Sequence, residues 1–138
     1  MDALIGKWNF VSSDNFDAYL KQVGVGMVTR KIAGALKPEL KFEKKGDDEW
    51  LMTSTSTFKV IENPIKLGAE VDEHTADGRH MKTTFTLEDG KLIQTQKAQS
   101  KDGKDSRITR YVDESGKLVI LMESEGVAAK RVYEKADA

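Results

Sequence analysis

Four glycine-centred turns at nearly even spacing constrain this chain more than any other feature: Ala76-Asp77-Gly78-Arg79, Glu88-Asp89-Gly90-Lys91, Lys101-Asp102-Gly103-Lys104 and Glu114-Ser115-Gly116-Lys117. Their glycines lie 12, 13 and 13 residues apart, the length of one strand plus one tight connection. Asp-Gly and Ser-Gly suit such connections because glycine takes positive φ without a Cβ clash. The repeat predicts an antiparallel meander. Between the turns, alternate positions read as strand faces: Met81, Thr83, Phe85 and Leu87; Leu92, Gln94, Gln96 and Ala98; Ile108, Arg110 and Val112; Leu118, Ile120 and Met122. Some of these inner positions are polar. Gly46 divides Leu40 to Glu43 from Trp50 to Ile61, Gly126 divides the last two strands, and Lys7 to Ser13 opens the series. That makes about ten strands, too many for short hairpins to stay flat, so an all-β, ten-stranded antiparallel up-and-down β-barrel (a β-clam) is expected.

One stretch breaks the period-two pattern. Phe16, Tyr19, Leu20 and Val23 fall at i, i+3, i+4 and i+7 behind a cap at Asp14 or Asn15, the spacing of an amphipathic helix. Gly24-Val25-Gly26 interrupts it, and Met27, Val28, Ile32, Ala35 and Leu36 renew the stripe until Lys37-Pro38. A helix-turn-helix over about 15–37 therefore follows the first strand, too short to cover a sheet face but suited to the mouth of a barrel.

With 138 residues and no linker-like tract, the chain is expected to be one domain over 1–138. Basic and acidic side chains nearly cancel, 22 against 23, so there is no global positive field and no nucleic-acid partner is expected. The absence of cysteine excludes disulfides and thiolate metal sites. Met1 to Lys7 lacks the charged and apolar regions of a secretion signal, so the cytoplasm is the expected compartment. His74 and His80 flank the turn at 76–79 and are expected as offset neighbours rather than a metal site. With no phosphate loop and no nucleophile beside a base, the expectation is no enzyme, no cofactor and no metal.

The last strand carries the chemistry. Val127, Ala129, Arg131 and Tyr133 share a face, and on the strand 108–112 Arg110 sits between Ile108 and Val112. Two guanidiniums turned inward would be costly unless an anion or water accompanied them, and no strand position shows a matched inward carboxylate. Outward, both would be ordinary surface cations in weak ion pairs. An anionic guest resolves the inward case: a carboxylate, for one, matches the guanidinium fork, and the tyrosine hydroxyl adds a donor.

The run Gly6-Lys7-Trp8-Asn9-Phe10-Val11-Ser12-Ser13-Asp14-Asn15-Phe16-Asp17-Ala18-Tyr19-Leu20 resembles the N-terminal signature of the intracellular lipid-binding proteins, in the fatty-acid-binding branch of heart, adipocyte and myelin type. Val23-Gly24-Val25-Gly26, Thr29-Arg30-Lys31, Lys37-Pro38, Ser56-Thr57-Phe58-Lys59, Thr75-Ala76-Asp77 and Arg131-Val132-Tyr133-Glu134 follow in family order. The resemblance implies a ten-stranded barrel with a helical lid and a cavity for one lipid, its carboxylate held by Arg110, Arg131 and Tyr133, the first often through water. It also implies that Phe16, Tyr19, Leu20, Val25, Ala33, Leu40, Phe58, Ala76, Asp77, Arg79, Gln96 and Met122 line the cavity or its portal, with Phe58 placed to gate it. Gly6-x-Trp8 also fits the first strand of lipocalins, but Trp8 reads as structural, closing the barrel's end.

The expected function is thus reversible, non-covalent binding and transport of a long-chain fatty acid by a cytoplasmic monomer. A retinoic-acid carrier of the same fold is the nearest alternative, because it presents the same carboxylate. Lys21, Arg30, Lys31 and Lys37 against Asp17 alone make the lid basic, which suggests transient contact with an anionic membrane surface and leaves a membrane or protein interaction module as the rival class. Two loops, Lys44 to Glu49 and Gln99 to Asp105, are longer than is usual in that family.

Overall fold

A computed structural model describes residues 1–75, 79–99, 101 and 103–136. The elements are β1 (Gly6–Asp14), α1 (Phe16–Gln22), α2 (Met27–Ala35), β2 (Glu39–Gly46), β3 (Glu49–Thr55), β4 (Val60–Lys66), β5 (Glu70–His74), β6 (His80–Glu88), β7 (Lys91–Ala98), β8 (Ser106–Val112), β9 (Leu118–Ser124) and β10 (Val127–Lys135). The ten strands form one antiparallel sheet in the order β4-β3-β2-β1-β10-β9-β8-β7-β6-β5. Every neighbour is sequential except β1 beside β10, so pairing of the first and last strands curls the meander back on itself. The two edge strands, β4 and β5, together line a cleft instead of pairing: among the described residues no ladder joins them.

The turn chemistry explains the sharpness of the hairpins. Glu88 pairs with Lys91 across a two-residue loop in which Asp89 and Gly90 have φ of 53° and 78°, the paired positive values of a type I′ turn. The run Trp50 to Ile61, read as one segment in the sequence, is cut by a turn in which the Ser56 hydroxyl accepts the Phe58 and Lys59 N–H groups at 3.2 and 3.3 Å. Serine here supplies the local acceptor that ends a strand without glycine. The inner-face pattern fails at Leu87, which is 39% exposed because it stands at the sheet's end beside the turn at 89–90.

Strand β1 pairs with β2 only from Gly6 to Asn9, but follows β10 to Asp14 with an irregularity between Phe10 and Ser12. The two strands part where the helices connect them. At the other end a 3₁₀ turn, Asp2–Leu4, brings the Leu4 carbonyl to the Trp8 indole N–H at 2.9 Å. Both side chains are buried, so Trp8 has its polar atom satisfied within the core.

The helices are held unequally. Helix α1 buries Tyr19 and Leu20 against β9 and β10. Asn15 does not cap it as its position suggests: it adopts φ 62°, makes no capping bond, and sends its side-chain amide to the Ala128 carbonyl at 2.8 Å. A cap normally requires extended backbone at that residue; the left-handed turn makes Asn15 a tether instead. Helix α2 buries none of its residues, and Met27, Val28 and Ile32 are exposed at 61%, 74% and 39%. Arg30 straps it to α1, donating to Asp17 Oδ1 at 3.1 Å and to the Val25 carbonyl at 2.7 Å. No described helix is long and apolar enough to cross a membrane.

Candidate ligand-binding site

Strand register sets the chemistry of the interior. Arg131 on β10 and Arg110 on β8 both pair with Ile120 on β9, so the two arginines belong to one cross-strand row with a single isoleucine between them. Adjacent strands lie about 4.8 Å apart, which puts the two backbones about 10 Å from each other. Alternation then points both side chains to the face that carries Ala129, Tyr133, Ile120 and Met122, all buried.

That face backs a cavity of about 300 Å³ whose wall includes Arg110, Arg131 and Tyr133. Leu40, Met52 and Met122 add apolar wall, while Phe16, Leu20, Ala33, Leu36 and Phe58 line it from the lid and the β3–β4 turn. Depth is graded, since Arg110 and Arg131 are each 6% exposed and Phe58 is 56% exposed. A cationic floor under an apolar throat fits an amphiphile lodged with its head at the floor and its tail toward the mouth.

Arg131 has weak protein company. Its Nε donates to the Tyr133 hydroxyl at 3.4 Å and its Nη1 to Ser13 Oγ at 3.5 Å, both long for hydrogen bonds. Its guanidinium lies 4.6 Å from the Phe10 ring centroid and 4.3 Å from that of Phe16. Phe10 in turn meets the Tyr133 ring edge-on at 5.7 Å. The aromatic faces hold the cation by their quadrupoles and fix its plane, but they leave its donors largely unused. Phe10 was not singled out by the sequence; it lies two residues from Trp8 on the same strand face, the signal that points to it.

Arg110 is bound from one side only. Its Nη1 donates to Gln94 Oε1 at 2.9 Å, and its Nε has no partner although it is buried. Burial pulls its pKa down to about 10, with Glu73 and then Tyr133 and Tyr19 opposing the shift. It still carries its charge at neutral pH.

Glu73 corrects the expectation that no strand supplies an inward carboxylate. On β5 it stands opposite Met81, and its Oε1 accepts from Thr83 Oγ1 at 2.5 Å, Gln94 Nε2 at 3.0 Å and Gln96 Nε2 at 2.9 Å. The signal was present in the inner-face pattern: with Met81, Thr83 and Phe85 taken as the inner face, a register that sets Glu73 opposite Met81 puts Glu73 on that face too.

The remaining sequence candidates separate. Tyr19 is buried under α1, its hydroxyl bonded to Ser106 Oγ, and Val25 is buried between the helices; neither is on the 300 Å³ cavity's wall. Gln96 is buried in the Glu73 network. Arg79 is half-buried, and its backbone N–H donates to Thr75 Oγ1 at 2.9 Å. Ala76 and Asp77 lie outside the described residues. His74 and His80 are not offset, as their spacing suggested: the ladder register sets them directly opposite each other, with rings stacked at 4.7 Å and 12°. A second cavity, about 650 Å³, opens between β4 and β5, lined among others by Trp50, Ile65, Glu73 and Phe85, and it shares Asn63 with the first.

A profile of the lipocalin / cytosolic fatty-acid binding protein family matches residues 5–135. The chain is 42% identical over 132 residues to fatty acid-binding protein homolog 5 of Caenorhabditis elegans, covering 96% of each. It is 45% identical over 135 residues to the adipocyte fatty acid-binding protein of Pygoscelis papua, covering 98% of each. Among solved structures, a Schistosoma mansoni fatty acid binding protein in complex with arachidonic acid superposes with a TM-score of 0.89 at 33% identity, covering 99% of this chain and 98% of that one. A curled ten-strand sheet with its first and last strands paired, a helix pair between its first two strands and matches along nearly its whole length place the chain in the lipocalin / cytosolic fatty-acid binding protein family.

Proposed function

We propose that this protein binds one long-chain fatty acid reversibly in the 300 Å³ cavity and carries it through the cytoplasm as a monomer, without chemical change. The observation that carries the reading is a pair of buried guanidiniums on one cavity wall that make no ion pair among the described residues. Arg131 and Tyr133 hold the carboxylate, and Arg110 joins them directly or through water, its unused Nε being the available donor. Charge-assisted bonds to an arginine fork give direction to the head. The tail supplies affinity, each methylene gaining about 0.8 kcal/mol on leaving water before ordering costs are subtracted. The relatives' names as fatty acid-binding proteins and the arachidonic acid in the Schistosoma complex support the same ligand class.

The lid serves transfer. Lys21, Lys31 and Lys37 are exposed on or beside it, next to exposed Met27, Val28 and Ile32, a basic and apolar surface suited to brief docking on anionic lipid. Arg30 is not part of that surface, because its side chain is only 15% exposed and is paired with Asp17. The direct test is native mass spectrometry of the purified protein followed by delipidation and titration with oleate. One fatty acid per chain and saturable rebinding are expected; a lipid-free protein that takes up no oleate would overturn the reading.

A further inference from the structure

The interior acid and the inner arginine are connected through one side chain. Gln94 gives its amide N–H to Glu73 Oε1 at 3.0 Å and takes Arg110 Nη1 on its own Oε1 at 2.9 Å. A glutamine amide that turns its oxygen to a cation turns its two donors the other way, where an acceptor favours the orientation; Glu73 provides that acceptor and so favours the way Gln94 points. Thr83 and Gln96 donate to the same Glu73 oxygen and hold it in place. Arg110 is thereby drawn to one side with its Nε left unbonded. The relay also has an electrostatic result. Two guanidiniums alone would match a doubly charged head, whereas a carboxylate two hydrogen bonds from one of them leaves a single uncompensated positive charge among the three.

We propose that Glu73 is a positioning and specificity residue: through Gln94 it aims Arg110 and restricts the headgroup site to singly charged anions, so that carboxylates are selected over dianionic heads such as alkyl phosphates. This rests on the carboxylate-site reading above. Gln94 matters to aim but not to charge, which separates the two parts of the relay.

The test compares dodecanoate with dodecyl phosphate by calorimetric titration at a pH of about 8, where a phosphate monoester is largely dianionic. Wild-type protein is expected to favour dodecanoate. Glu73→Gln is expected to move the affinity ratio toward the phosphate by about tenfold or more, since one unit charge in a buried site has been removed. Gln94→Met is expected to weaken both ligands while leaving the ratio near that of wild type. The double variant E73Q/R110Q, again with a single positive charge, is expected to restore preference for dodecanoate, and it decides the matter even if E73Q alone fails to fold. An unchanged ratio in E73Q, or a double variant that fails to prefer the carboxylate, would overturn the inference while leaving the fatty-acid site standing. Wild-type protein that binds neither ligand would bring down the site reading and this inference with it.

Discussion

Replacing Arg131 with glutamine separates the residue's part in binding from its part in folding. Its two hydrogen bonds within the protein are 3.4 and 3.5 Å long, and its main partners are the Phe10 and Phe16 rings at 4.6 and 4.3 Å. Losing those contacts costs about 0.5 to 2 kcal/mol each, but the substitution also removes a buried cation that has no counter-ion, a gain of similar size. The melting temperature of the lipid-free protein is therefore expected to change little. Binding responds differently, because a charge-assisted bond to the ligand carboxylate is worth about 1.5 to 3 kcal/mol, equivalent to about 10- to 150-fold in affinity. Titration with oleate and with oleyl alcohol, side by side with thermal melts, reads all three quantities. Oleate affinity should fall by that factor while the alcohol, which brings no charge, holds steady or improves. If acid and alcohol weaken together, Arg131 supports the cavity's shape and not the head, and the assignment of the carboxylate to this residue is wrong.

Two further outcomes follow from the surface. Lys21→Gln, Lys31→Gln and Lys37→Gln combined remove three cations from the lid, each contributing on the order of 1 kcal/mol near an anionic bilayer; transfer of a fluorescent fatty acid to anionic vesicles should slow sharply and transfer to zwitterionic vesicles hardly at all, and equal slowing would refute membrane docking by charge. Asp113, in the β8–β9 turn, accepts the Ser115 hydroxyl at 2.7 Å and the Lys117 N–H at 3.0 Å, and these bonds hold its carboxyl below the ordinary 3.8. A depressed carboxyl pKa contributes stability that is present above the unfolded value and lost as pH falls through the folded one. Asp113→Ala should thus lower the melting temperature at neutral pH by an amount that shrinks as the pH falls below 3.8; a gap independent of pH would show that the charge is not what stabilises the turn.

Much of the architecture was legible because it depends on local chemistry repeated at a fixed interval. Asp89-Gly90 and Gly116 take left-handed backbone, and the alternation of Leu118, Ile120 and Met122 leaves one face to bury. These signals gave the meander, and the i, i+3, i+4 spacing of Phe16, Tyr19 and Leu20 gave the inserted helix pair, but alternation left Arg110 and Arg131 free to face either way until the sheet buried them. The same local logic misjudged Asn15, whose side chain finds Ala128 across 113 residues of sequence, and it read through Ser56, where a hydroxyl turns the chain.

Local alternation settles which residues share a face; the assembled sheet settles which faces meet at one level. Alternation puts a residue inside or outside, but ladder register alone places Arg110 and Arg131 in the row of Ile120. Curling of the sheet carries β5 round so that Glu73 reaches Gln94, two strands away on β7. The difference is one of range. Turn and strand preferences act over a few residues, whereas the field inside the barrel is a sum over side chains from opposite ends of the chain, and it takes its value only once closure has set their distances.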